Sequence, residues 1–190
     1  MVSPEDKSQL RARLRRARRS IPVPERQRVE ARTVAALDPL FADGAVALCA
    51  YMALGGELDL SALIRREWAR NRPVWLPRVR RSALGWHAVT DDDLLLPGAY
   101  GIPEPDATRC PEDPLPDSCL IVVPGVGFTA AGQRLGQGGG FYDRSLVDLG
   151  SAVRTVGVAF GCQLVADLPE EPWDRRVDGL LVDGDWVLSL

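Results

Sequence analysis

The run AVALCAYM (45–52) is apolar without alternation, which is the pattern of a strand buried on both faces. After it, GGELDLSALIRREWARN reads as a loop followed by a helix, and PVWLP as a second short strand. Strand, helix and strand in that order form a β–α–β unit and predict a parallel sheet with helices on its faces. From residue 119, CLIVVPGVGF repeats the design with a buried strand, a glycine loop and a helix from about residue 140. RTVGVAF (154–160) supplies a further strand, and DGLLVDGDWVLSL a closing β-hairpin on an Asp-Gly turn. Upstream, Ser3 as N-cap, Pro4 at the first helical position and acids at Glu5 and Asp6 predict a helix over 4–19. Lys7 and Arg11, four residues apart, share a face of it. A second helix is predicted over 24–37.

Between the halves lies DDDLLLPGAYGIPEPDATRCPEDPLPDSC, rich in proline and acid and too irregular for a buried element. Loops of this length in a compact domain are often functional, so it is either a linker or part of a site. With 190 residues, 46% hydrophobic and 26% charged, the chain has the size and composition of one globular domain spanning 1–190. A net charge of −3 excludes a protein whose main work is coating a nucleic-acid backbone. The basic cluster Lys7, Arg11, Arg13, Arg15, Arg16, Arg18 and Arg19 is interrupted by acids on either side, and reads as a solvated helix face that lends one or two cations to a site. Cys49, Cys110, Cys119 and Cys162 show no ligand or redox spacing and read as buried free thiols. His87, the single histidine, is placed on a strand face. No apolar run approaches the length of a membrane span and no signal-peptide pattern is present, so a cytoplasmic, membrane-free protein is expected.

Chemistry concentrates in FTAAGQRLGQGGGFYDRSL (128–146). The segment 125–140 lies just past the end of the strand LIVV (120–123), and in open α/β sheets ligands bind beyond the carboxyl ends of strands. Glycines let backbone N–H groups converge on an anion, and a helix starting near Phe141 adds its positive end. Neither G-x-x-x-x-G-K-[ST] nor G-x-G-x-x-G is present, so the glycines alone allow a flexible surface turn as well. Arg134, able to fork onto phosphate oxygens, and Asp143, which needs a cation between itself and a phosphate, point to phosphate with Mg²⁺.

PGVGFTAAGQRLGQGGGFYDRSL resembles the signature of the 5-formyltetrahydrofolate cyclo-ligases, in which R-L-G-x-G-x-G-aromatic-Y-D forms the phosphate loop. The likeness extends to KSQLR, YMALGGELDL, WLPRV, YGIPEP and GVAFGCQLVADLPEEPWDRRVD. It implies a three-layer α/β/α sandwich on a mostly parallel open sheet, Rossmann-like and similar to the phosphosugar isomerase and CoA transferase scaffold. It also implies conversion of 5-formyltetrahydrofolate to 5,10-methenyltetrahydrofolate with Mg-ATP, giving ADP and phosphate, by a monomer that binds no nucleic acid. Carried over, Lys7, Arg11, Arg134, Leu135, Gly136, Gln137, Gly138, Gly139, Gly140, Phe141 and Tyr142 would hold the nucleotide. Asp143 and Asp174 would hold Mg²⁺, and Arg134 with Asp143 would carry catalysis. Met52, Glu57, Tyr100 and the loop face Gln137, Gly138, Gly139, Gly140 and Phe141 would meet the folate, Tyr100 by stacking on the pterin.

Thr129 stands where the resemblance leads one to expect Asp, removing whatever that carboxylate gives to metal or loop order. Tyr100 replaces a commoner Trp or Phe, and Gln137 and Gly139 sit at positions that are sometimes basic. These departures imply slower or weaker catalysis. They leave open a non-catalytic folate- or nucleotide-binding protein of the same fold, which Thr129 favours. An isomerase or transferase acting on phosphorylated sugars or CoA esters has no base placed beside the loop to support it.

Overall fold

The computed structural model describes residues 6–81, 83–98, 101–147, 149–169, 171 and 173–190. Helix α1 (Lys7–Arg19) starts later than its proline suggests. Asp6, in extended conformation, is the N-cap, and its carboxylate accepts from the backbone N–H groups of Ser8 and Gln9 at 2.8 Å each. The proposed Ser3 cap and Pro4 start lie outside the described residues. α2 (Val23–Leu37) begins with Pro24 in its first turn, as expected, and α3 (Ser61–Ala69) follows the first strand.

The strands are β1 (Ala47–Cys49), β2 (Val74–Arg80), β3 (Ala83–Val89), β4 (Leu95–Pro97), β5 (Pro103–Pro105), β6 (Cys119–Val123), β7 (Gly127–Phe128), β8 (Arg134–Leu135), β9 (Val153–Ala159), β10 (Gly179–Val182) and β11 (Asp185–Leu188). Seven form one sheet in the order β11-β10-β9-β6-β1-β2-β3. The five inner strands run parallel, and β3 and β11 cap the two edges antiparallel. β11 returns from β10 over Asp183 (φ 51°) and Gly184 (φ 86°), the two left-handed positions of the expected Asp-Gly turn. β6 explains why the apolar runs lack alternation. Leu120 and Val122 pack with α2 and α3 on one face, while Cys119, Ile121 and Val123 pack with Phe128 and Leu146 on the other. The sheet is therefore covered on both sides, as a three-layer α/β/α fold requires. The second cover is thin: α4 (Phe141–Ser145) has only five residues.

Three expectations are corrected. PVWLP is the start of a longer strand, and the strand expected to carry His87 is β3, paired antiparallel with it. The acidic middle segment is not wholly irregular, since β4 and β5 pair as an antiparallel ribbon. Of the four free cysteines, three are buried but Cys162 is exposed. His87 lies buried on β3, as expected, with Nδ1 2.8 Å from the carbonyl of Cys110. No described helix is long and apolar enough to cross a membrane.

The topology positions the site. β1 leads through α3 to β2 on one side, whereas β6 leads to β9 on the other. The chain thus reverses direction between the adjacent parallel strands β1 and β6, and a crevice opens beyond their carboxyl ends. α1 lies over this end rather than on the sheet, with Leu10 and Leu14 packed on Val126, Leu135 and Leu168.

Candidate functional site

Loop 124–140 fills the crevice. The two-residue strands β7 and β8 pair antiparallel and stiffen its stem, with Gly127 opposite Leu135 and Phe128 opposite Arg134. Between them Thr129 closes a turn: its Oγ1 accepts from Gln133 N–H at 3.2 Å, and its own N–H donates to the Gln133 carbonyl at 3.0 Å. Thr129 is buried and lines neither cavity described below, so the loop is ordered without a carboxylate there. Past β8 the backbone turns through Gly138 (φ 108°) and Gly140 (φ 65°), conformations that a Cβ would strain. Gly140 is the N-cap of α4, a helix too short for its dipole to add much, so the expected helix-end contribution falls mostly to the loop's own N–H groups.

Two cations of α1, Lys7 and Arg11, line the first cavity described below, in keeping with one or two lent to a site, while Arg15 and Arg18 hold the loop itself. Lys7, Arg11, Arg15 and Arg18 recur at helical spacing on the side that is not fully exposed. Arg11 Nε donates to the Gly136 carbonyl at 2.8 Å. Arg15 grips Gln137 through its side-chain oxygen (2.6 Å) and its carbonyl (3.0 Å). Arg18 is buried and donates to the carbonyls of Gly125 and Gly55, tying the loop after β6 to the turn after β1. Lys7 pairs with Asp174 at 2.8 Å and Glu171 at 2.9 Å. Burial works against its charge, but the two carboxylates outweigh that and raise its pKa, so it remains a cation.

Two cavities open on opposite sides of the loop. The first, of about 580 Å³, is lined by Lys7, Arg11, Arg134, Arg144 and Arg175, by Asp143, Glu171 and Asp174, and by loop glycines. Five cations against three carboxylates leave it positive, as an anion site must be. The second, of about 410 Å³, is mainly apolar. Met52 and Leu54 come from the turn after β1, Pro77, Val79 and Leu84 from the β2–β3 hairpin, and Phe141 and Tyr142 from α4. Glu57, 8% exposed, is its buried acid: it accepts from Leu54 N–H at 3.1 Å and from the Gln137 side-chain amide at 2.8 Å. Burial, with the Glu57 charge adding to it, raises the Tyr142 pKa, so its hydroxyl stays protonated.

The cavities share Arg134, Gly136, Gly139, Gly140 and Asp143. Arg134, with its side chain 3% exposed, donates through Nη2 to Asp143 Oδ1 at 2.5 Å and through Nη1 to the Pro124 carbonyl at 3.3 Å. Its Nε is buried without an acceptor among the described residues. Asp143 and Asp174 line one cavity, and among the described residues no three acids, histidines or cysteines gather as a self-sufficient metal cage. Two carboxylates beside an anion site are nevertheless the donor set that suits Mg²⁺, which keeps phosphate oxygens and waters as its other ligands.

The profile of the 5-formyltetrahydrofolate cyclo-ligase family matches residues 3–183. The chain belongs to that family. Among curated relatives, the 5-formyltetrahydrofolate cyclo-ligase of Haemophilus influenzae is 30% identical over 95% of this chain and 100% of its own. That of Mycolicibacterium smegmatis is 29% identical over the whole of both. Among solved structures, the 5,10-methenyltetrahydrofolate synthetase of Aquifex aeolicus superposes with a TM-score of 0.79 at 30% identity, covering 95% of this chain and 91% of that one. The chain is accordingly an enzyme of the cyclo-ligase class.

Of the site residues expected from the sequence, the structure gathers Lys7, Arg11, Arg134, Leu135, Gly136, Gly138, Gly139, Gly140, Asp143 and Asp174 around the first cavity. Met52, Glu57, Gln137, Phe141 and Tyr142 line the second. Tyr100 lies outside the described residues, but its neighbours Ile102, Pro103 and Glu104 line the second cavity. Glu104 and the Pro105 carbonyl are held there by Arg78 of β2. Sequence reading does not find Arg15, Arg18 or the β2–β3 wall; the steps of four, four and three residues from Lys7 to Arg18 are the readable signal for the first two.

Proposed function

We propose that this single domain, residues 1–190, converts 5-formyltetrahydrofolate and ATP to 5,10-methenyltetrahydrofolate, ADP and phosphate with Mg²⁺. The observation that carries the reading is the pair of cavities meeting at Arg134 and Asp143, one cationic and glycine-walled, the other apolar with a buried acid. That is the arrangement needed to bring a triphosphate and a flat heterocycle to one point.

A formamide carbon is a poor electrophile because the nitrogen lone pair is delocalised into its carbonyl, and its oxygen is a poor leaving group. Phosphorylating that oxygen answers both difficulties. The formyl oxygen bonds to the γ-phosphorus as the bond to ADP breaks. N10 then adds to the activated carbon, the carbon–oxygen bond breaks, phosphate departs with the former formyl oxygen, and N10 loses its proton. Phosphoryl transfer is chiefly positioning and charge neutralisation. Arg134, Lys7, Arg11 and the N–H groups of Gly136 to Tyr142 supply both on the nucleotide side. A magnesium ion held by Asp143 and Asp174 would neutralise further phosphate charge. On the folate side Glu57, held by Gln137 and Leu54 N–H, accepts pterin N–H donors, with Met52, Phe141 and Tyr100 around the ring. We place the enzyme in the cytoplasm as a monomer acting on a small molecule, with no nucleic-acid partner.

Incubation with 5-formyltetrahydrofolate, ATP and Mg²⁺, followed by near-ultraviolet methenyl absorbance, tests the reading; no signal at high enzyme concentration would overturn it in favour of a binding protein. Glu57→Gln is expected to raise KM for the folate about 10- to 100-fold, the worth of a hydrogen bond to a charged acceptor. KM for ATP should stay within about twofold, a split that steady-state kinetics reads directly.

A further inference from the structure

Trp173 is 64% exposed, yet it lines the first cavity beside Asp174 and Arg175. The turn that carries it is tied down: Asp174 N–H donates to the Glu171 carbonyl, Glu171 N–H donates to Asp174 Oδ2, and Lys7 Nζ reaches both acids. An indole on an anchored turn, uncovered by its own chain, is unlike an aromatic that merely fills the core. Val147, 40% exposed, and the buried Leu135 are the other large apolar residues lining a cavity otherwise dominated by charge and glycine. At about 580 Å³ the space is in the range of a whole drug-sized ligand, larger than an anion at the loop needs.

From these placements we infer that Trp173 is the platform on which the base of the nucleotide stacks, with Val147 as a second apolar contact. The inference rests on the ATP reading above and adds the part of the ligand that the glycine loop does not address. Charge and backbone N–H groups grip phosphates without regard to what they are attached to. A flat aromatic surface gains from a base and gains nothing from phosphate. Affinity for the nucleotide therefore divides between two regions, and Lys7 couples them, since it lies on the phosphate wall and holds the Trp173 turn.

The test is calorimetric binding of ATP and of inorganic tripolyphosphate, both with Mg²⁺, to the full chain, to Trp173→Ala and to Trp173→Phe. Base–aromatic stacking is worth about 1–3 kcal/mol, so Trp173→Ala should weaken ATP roughly 10- to 100-fold. Tripolyphosphate should stay within about twofold, and Trp173→Phe should recover most of the ATP affinity. Unchanged ATP affinity in Trp173→Ala would overturn this inference and leave the ATP reading standing. Equal weakening of ATP and tripolyphosphate would also overturn it, showing that Trp173 only supports the turn. A wild-type chain that binds tripolyphosphate no more weakly than ATP would do the same, because no base contact would then contribute. If the wild-type chain binds no ATP at all, the ATP reading fails and this inference with it.

Discussion

Asp143→Asn is expected to lower turnover by at least about 10²–10³-fold, the scale of losing one preorganised charge-stabilising group, while folate affinity changes no more than a few-fold. Among the described residues Asp143 is the only carboxylate that lines both cavities, which on the proposed reaction puts it beside the transferred phosphoryl group. The replacement is close to isosteric, and its amide oxygen can still accept from Arg134 Nη2. What disappears is the negative charge. With it goes the anionic ligand that a Mg²⁺ ion would need beside Asp174 on the proposed reading. Loss should accordingly fall on kcat and on the Mg²⁺ concentration needed for half-maximal rate, both readable in the absorbance assay. Folding should survive with an unfolding temperature lowered by several degrees, because Arg134, 3% exposed, keeps its charge with only an amide oxygen and the Pro124 carbonyl to accept from it. A variant within tenfold of the wild-type rate would sink the assignment of Asp143.

Much of this arrangement was legible in the order of residues, for identifiable physical reasons. Parallel strands buried on both faces have few polar positions, which makes β1 and β6 stand out as uninterrupted apolar runs and β9 as one from Val156 onward. The bounds of β3 are not readable because its turn carries no glycine signal. Arg81 takes the left-handed conformation (φ 38°) usually given to Gly or Asn, and Gly85 sits inside the strand where it reads as a break. The start of α1 was misplaced because both Ser3-Pro4 and Asp6 satisfy the rules for a helix entry, and the Asp6 carboxylate, bonded to two backbone N–H groups, marks the entry within the described chain.

The glycine loop was readable as chemistry but not as geometry. Glu57 and Gln137 are eighty positions apart, and Arg15 and Gln137 farther still. Their meeting depends on β1 and β6 being neighbours at the reversal of chain direction, which no local pattern encodes. Resemblance supplies Glu57 and Gln137 in advance. At Thr129, where it implies a carboxylate's help to metal or loop order is missing, the structure answers the second half: the hydroxyl itself closes the turn of the loop stem.

Arg134→Met should be as damaging to turnover as the loss of Asp143, about 10²–10³-fold in kcat, but for the opposite charge and with a cost in stability as well. The side chain is almost fully buried against Asp143, the Pro124 carbonyl and, at 5.7 Å, the face of Tyr142. Removing one member of a buried ion pair costs about 3–5 kcal/mol, because the partner is left without compensation. Asp143 retains 17% exposure, which argues for the lower end and for a fall of several degrees in unfolding temperature. Arg134→Lys keeps a charge but not the fork that reaches Asp143 and Pro124 together, so it should recover only part of the rate. The double variant Arg134→Met/Asp143→Asn separates the two roles of the pair. With both charges gone no stranded carboxylate remains, so the unfolding temperature should climb back above that of Arg134→Met alone, while turnover stays as low as in the worse single variant. If the double variant regained rate along with stability, the pair would be holding the fold rather than the phosphoryl group.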